Sequence, residues 1–406
     1  MSRPSRYAWL VVGLLVPVAL LNYLDRQMLA SMKFSVMRDI PDIGLEANWG
    51  TILALFKWVY AVLSPIGGYL ADRYGRRHVI AGSLLVWSVV TWTTGHVTSY
   101  EQLLATRALM GISEAFYIPT ALALIADVHT GNTRSRAVGL HQMGIYVGVI
   151  LGGFGGYVAD HPGLGWRRAF DACGIAGVLY AAPLFMLLKN PVRSRDVEAA
   201  RPSPGRALRE LLGNGSFVLL VLYFTLPALA GWIVRDWMPA ILKAEFGIGQ
   251  GLAGVSATLY WQAAAIAGAV LGGWLADRWM RRSQRGRIYV SAIGMSFIVP
   301  AMFGVGYAPQ TGLLWVAVAF LILFGLGWGF FDSNNMPILC QIARPELRAT
   351  GYGIMNFVSI SCGGFADWGF GILRDRHVPL FAIFGIFASA AIVSIVLVLL
   401  IRPRQS

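Results

Sequence analysis

Residues 68–77 read Gly68-Tyr69-Leu70-Ala71-Asp72-Arg73-Tyr74-Gly75-Arg76-Arg77, and residues 273–282 read Gly273-Trp274-Leu275-Ala276-Asp277-Arg278-Trp279-Met280-Arg281-Arg282. The two stretches lie 205 residues apart in a chain of 406. Each follows an apolar run and closes on a pair of arginines. A loop repeated in register at half the chain length predicts two related halves. In a membrane chain, such halves are expected to rock about a shared central site, as in a secondary transporter.

The composition supports a membrane setting. Hydrophobic residues make up 56% and charged residues 13%, against about 25% charged in a soluble domain. Apolar stretches of roughly 20 residues, long enough to cross the hydrocarbon core, recur along the chain. The first holds Asp25 and Arg26 and lacks a small-residue cleavage site, so it reads as a retained helix and not a signal peptide. Twelve spans are predicted, at 8–31, 48–70, 78–97, 102–126, 135–159, 167–188, 216–242, 252–276, 287–307, 312–340, 347–373 and 379–401. The expected class is an all-α membrane protein of twelve transmembrane helices. Its domains are a six-helix half over 1–188, a cytoplasmic linker over 189–215 and a second six-helix half over 216–406. Within the linker, Pro204 to Leu212 suits a short helix on the membrane surface.

The net charge of +13 is not a nucleic-acid signature, because its distribution is that of topology. Arginine and lysine gather in alternate loops, at Arg73 to Arg77, Arg134 and Arg136, 189–209, 278–287, Arg344 and Arg348, while the opposite loops carry few. This positive-inside pattern predicts cytoplasmic termini. A bacterial inner-membrane location is expected. The three cysteines lie in apolar spans without metal-ligand spacing. There is no nucleophile elbow, phosphate-binding lysine loop or zinc-spaced set. The chain therefore reads as no enzyme and needs no cofactor beyond a proton gradient.

Charges within the spans carry the functional signal, since an ionisable group in the bilayer is costly unless paired or hydrated. Span one contains Asn22-Tyr23-Leu24-Asp25-Arg26, and span four contains Arg107 and Glu114 on one helical face. The arginines supply permanent charge. Asp25 and Glu114 can each carry a proton, and protonating either frees an arginine for an anionic substrate. A buried network that only locks the structure would look the same in sequence. Lys57 and Arg235 add cations, giving four with Arg26 and Arg107. Asp236 beside Arg235 suits an outer gate, an anion lure or an interfacial ion pair. Span ten carries Asp332-Ser333-Asn334-Asn335-Met336-Pro337 and then Gln341, amides suited to hydroxyl recognition or to helix–helix bonding. Asp332 and Asp367 are expected to be buried carboxylates. His141, Gln142 and Tyr146 are candidate cavity residues in span five, with a packing role for His141 favoured. The basic loops are candidate gates through Asp72, Arg73, Arg76, Asp277 and Arg278: an aspartate there can pair with a cation or cap a helix, or the arginines can act as simple anchors.

The chain resembles the major facilitator superfamily, through Gly68-x-x-x-Asp72-Arg73-x-Gly75-Arg76-Arg77, its second copy with Met280 in place of glycine, and the twelve-span plan. That resemblance implies alternating access and a monomer. Within it, Asn22-Tyr23-x-Asp25-Arg26, Trp58-Val59-Tyr60, Arg107-x-x-x-Gly111-x-x-Glu114-Ala115 and Trp237-x-Pro239 are similar to the anion:cation symporters, which include hexuronate and galactonate carriers and sialin. This implies a proton-coupled importer of a small organic anion, such as a hexuronate, aldonate or sialic acid. By that resemblance Asp25 and Glu114 handle protons, Arg107 pairs with Glu114, Arg26 and Tyr60 meet substrate, and Asn356 bonds a sugar hydroxyl. Tyr23, Lys57, Gln142, Asn334 and Asn335 complete the candidate substrate set. A second resemblance is to Spinster-like lipid carriers, through Asp25-Arg26, Glu114, Ile125-Ala126-Asp127 and Arg134-Ser135-Arg136. It implies a lipid or lysolipid cargo.

Overall fold

The computed structural model describes residues 6–129, 133–190 and 204–403, without the side chains at 67–69, 71, 72, 135 and 204. The helices in chain order are α1 (Arg6–Ser31), α2 (Lys33–Asp39), α3 (Glu46–Tyr74), α4 (Arg76–Thr94), α5 (Tyr100–Glu114), α6 (Tyr117–Val128), α7 (Arg134–Gly153), α8 (Gly155–Asp160) and α9 (Gly165–Leu187). After them come α10 (Pro204–Leu212), α11 (Gly215–Asp236), α12 (Met238–Phe246), α13 (Gln250–Met280), α14 (Gly286–Tyr307), α15 (Leu314–Ile342), α16 (Arg348–Asp375) and α17 (Leu380–Leu400). Among the described residues there is no strand.

The twelve expected spans correspond to α1, α3, α4, α5–α6, α7–α8, α9, α11–α12, α13, α14, α15, α16 and α17. Ten candidate spans among the described residues are long and apolar enough to cross a membrane. The remaining two, α4 and α16, are diluted by arginine, serine, threonine and asparagine. Several helices run past the apolar stretch that predicts them. For example, α13 covers Gln250–Met280 where 252–276 is expected, because backbone pairing continues into the polar ends. Three spans break, after Glu114, Gly153 and Asp236.

Two compact units form. The first comprises 1–193 together with 235–258, and the second comprises 194–234 and 259–406. The segment 235–258, expected with the second half, therefore packs in the first unit. Its anchor there is Gln250, which donates from Nε2 to Ser35 Oγ at 2.7 Å and to Asp160 Oδ1 at 2.7 Å.

In the first unit α1 packs along α7, α4 along α9 and α3 against α5. Lipid is as apolar as a leucine side chain, so close backbone approach and dispersion do the holding. Gly144, Gly148 and Gly152 of α7 face the carbonyls of Val16, Leu20 and Leu24 in α1, and a Cβ at Gly148 would strike the Leu20 carbonyl oxygen. Their four-residue spacing is thus a packing stripe. In the second unit α14 lies along α15 and α17, and α10 touches α16. There Gly325 and Gly329 of α15 meet the carbonyls of Trp261 and Ala265 on α13.

Candidate functional site

Asp25 and Arg26 sit side by side near the end of α1, so their side chains diverge by about 100° around the helix. Asp25 is buried and accepts a hydrogen bond from Thr91 Oγ1 of α4 at 2.9 Å. Arg26 turns to the break between α5 and α6. There its Nε donates to Glu114 Oε2 at 2.6 Å, and its Nη2 lies 2.5 Å from the same oxygen. Glu114 is 0% exposed. It is the last residue of α5, and Gly111 one turn earlier lets α5 close on the Phe56 carbonyl of α3.

Three rings surround the Arg26 guanidinium. It lies 4.8 Å from the Tyr23 ring centre, 4.5 Å from Phe56 and 5.1 Å from Tyr60. Each aromatic face attracts the cation and keeps water from it. Arg107 is buried and acts electrostatically on both Asp25 and Glu114. Its Nη2 donates to Thr94 Oγ1 at 3.4 Å. The expected Arg107–Glu114 pair is therefore corrected: Glu114 bonds Arg26. Arg107, about 10 Å back along the helix, acts on Glu114 through space and makes no hydrogen bond to it. The four charged groups still share one neighbourhood. Two carboxylates and two arginines compete there, and an added proton or anion can change the partners.

The other predicted cations are also engaged. Lys57, 3% exposed, forms an ion pair with Asp236. Arg235 lies over the Tyr23 ring at 5.7 Å, and its carbonyl accepts from Gln27 Nε2 at 2.9 Å. Gln142 is half-buried on α7. His141 is a packing residue: its Nε2 lies 3.0 Å from Tyr117 Oη, which donates to the Leu15 carbonyl.

The second unit centres on aromatics. Trp328 packs against Trp261, Phe324 and Phe331, and Phe331 against Tyr223 and Phe224. Asn334 is fully buried and donates to the Phe330 carbonyl at 2.9 Å, one turn back. Asn335 is buried with neither amide atom bonded. Asn356 is half-buried on α16. One expectation fails here. Asp332 is exposed, because two residues along α15 turn it about 160° from the buried Asn334. Gln341 donates to the Gln284 carbonyl at 3.0 Å and so secures a loop. Asp367 is buried as expected.

Of the candidate gate residues, the Asp72 side chain lies outside the described residues. Arg73 is exposed and lies 5.8 Å from the Tyr74 ring. Arg76 is buried, pairs with Asp127 and donates to the Ala123 carbonyl. It thereby ties α4 to the end of α6. Asp277, 68% exposed, pairs with Arg287 at 2.7 Å, and Arg278 lies over Trp274. Thr91, Thr94 and Phe56 escape the sequence reading. Phe56 had a usable signal, one turn before Tyr60. The threonines carry no motif, and only packing shows Thr91 against Asp25.

The profile of the Major Facilitator Superfamily matches residues 15–366. Protein spinster of Drosophila melanogaster is 29% identical over 380 residues, which cover 89% of this chain and 61% of that protein. The chain thus spans less than two thirds of the fly protein's length. The sphingosine-1-phosphate transporter of Xenopus tropicalis is 25% identical over 382 residues, covering 88% of this chain and 73% of its own. A bacterial homolog of the human lysosomal transporter Spinster, crystallised inward-facing and unoccupied, shares the fold with a TM-score of 0.77. That structure is 20% identical, and the match covers 99% of this chain and 96% of it.

Proposed function

The chain belongs to the Major Facilitator Superfamily, and on that footing we propose that it is a proton-coupled secondary transporter of an organic anion bearing an apolar tail. It is a multi-pass membrane carrier and not an enzyme. The reading rests on one observation, the half-buried Arg26 paired with the fully buried Glu114, with Asp25 and Arg107 beside them. Arginine stays charged, so the arrangement has two exchangeable partners for one guanidinium. A proton arriving on Glu114 removes its charge and releases the Arg26 fork. A phosphate or carboxylate then takes the vacated donors, aided by the planar fork geometry. When the anion leaves, Arg26 recaptures Glu114 and the proton is expelled. Asp25, held by Thr91, is the second proton site, and Arg107 limits how much negative charge the cluster can shed.

The name of the Xenopus relative, a sphingosine-1-phosphate transporter, supports an anion with an apolar tail. A second reading, an acidic sugar such as a hexuronate, aldonate or sialic acid, draws support from the unbonded amide of Asn335, which suits a polyol. In either case the carrier is a monomer in a bacterial inner membrane with cytoplasmic termini, and it imports its cargo with protons.

Proteoliposomes under an imposed pH gradient test this reading. Labelled lysophosphatidate and sphingosine phosphate should accumulate and should be released by a protonophore, whereas glucuronate should not. Accumulation of glucuronate alone would favour the sugar acid. Accumulation indifferent to the gradient would refute proton coupling.

A further inference from the structure

A cavity of about 320 Å³ opens at the basic end of the second unit, far in sequence from the charged cluster above. Its lining includes Glu210 and Leu211 of α10, Asn214, Ile342 at the end of α15, Arg344 and Arg402. The frame is bonded. Asn214 Nδ2 donates to the Ile342 carbonyl at 3.2 Å, and Ser216 Oγ donates to the Arg402 carbonyl at 3.1 Å. Arg348 Nη2 donates to the Cys340 carbonyl at 3.0 Å. Arg344 forms an ion pair with Glu210. Among the described residues no carboxylate pairs with the Arg402 guanidinium.

One wall is α10, which is two-faced. Ala207 and Leu211 are buried against the unit, while Leu208 and Leu212, one turn apart, are 45% and 52% exposed. Arg206 and Arg209 are exposed on the same helix. A short helix with outward leucines and flanking arginines, at the basic end of a spanning bundle, suits the level of lipid headgroups. Basic pockets at that level select anionic headgroups. Glu210 offsets one arginine and leaves an excess of positive charge.

We propose that this cavity binds the phosphate of an anionic phospholipid, with Arg344 and Arg402 on the phosphate and the acyl chains over Leu208 and Leu212. The exposed leucines decide for a lipid over a free phosphate ester, which would use the arginines alone. The site is independent of the transport cargo. Occupied, it would hold α10 against the end of α15.

The test is thermal unfolding of the full chain in detergent, titrated with phosphatidylglycerol, phosphatidylcholine or glycerol 3-phosphate. Phosphatidylglycerol should stabilise at lower concentration than phosphatidylcholine. R402Q should weaken the phosphatidylglycerol effect about fivefold, the loss expected for one headgroup-level cation, and should leave phosphatidylcholine unchanged. E210Q should strengthen it, which keeps the proposal testable if R402Q folds poorly. R38Q, at an exposed arginine of the first unit, should have no effect. Equal response to the two lipids, or an unchanged response in both R402Q and E210Q, would overturn the site. Full stabilisation by glycerol 3-phosphate would assign it to a soluble anion and overturn the lipid.

Discussion

Replacing Glu114 by glutamine keeps the shape of the side chain and removes its charge. In the wild-type chain one carboxylate oxygen accepts a hydrogen bond from Nε of Arg26 and lies in ion-pair contact with Nη2. Hydrogen bonds to a charged partner contribute about 1.5–3 kcal/mol, and neutral ones about 0.5–1.5 kcal/mol. Glutamine keeps a neutral acceptor, so Arg26 is held less tightly by roughly 1–1.5 kcal/mol. An anionic cargo that must displace this residue therefore binds about five- to tenfold more tightly in E114Q. The variant cannot carry the proton, so accumulation driven by a pH gradient should be lost while exchange of labelled for unlabelled cargo persists. Both are read in the same proteoliposomes, and cargo affinity by thermal shift of the purified protein. Intact gradient-driven accumulation would remove Glu114 from coupling. Weaker cargo affinity would mean that the anion does not compete with Glu114 for Arg26.

Further outcomes are expected from the same geometry. R26K replaces a planar fork stacked among three rings by a point charge, and should reduce cargo binding at least tenfold in an equilibrium binding assay; unchanged affinity would exclude Arg26 from the site. G148L places a side chain against the Leu20 carbonyl and should cost about 1–3 kcal/mol as α1 and α7 are forced apart, visible as loss of the monodisperse peak in size-exclusion chromatography or a lowered Tm. D277N removes an exposed ion pair worth about 0–1 kcal/mol, so its Tm should stay close to wild type; a large drop would show that Asp277 has a structural partner beyond Arg287.

The sequence by itself determined that this chain crosses a membrane many times and is built on a doubled plan. Both follow from periodic, local signals: apolar runs of spanning length, basic loops, and Asp72-Arg73 echoed by Asp277-Arg278. It also marked Asp25, Arg26, Arg107 and Glu114, because a charge in an apolar run stands out without any knowledge of its neighbours. Tertiary structure alone decided who partners whom. Arg26 and Glu114 are 88 residues apart, and Lys57 and Asp236 are 179 apart. No periodicity encodes which of several arginines a buried carboxylate will meet. Exposure of Asp332 beside buried Asn334 depends on how α15 is rotated, and the attachment of Gln250 to Ser35 and Asp160 depends on which unit the loop joins. Composition and spacing act along one chain segment, whereas desolvation and ion pairing act between segments that only the fold brings together.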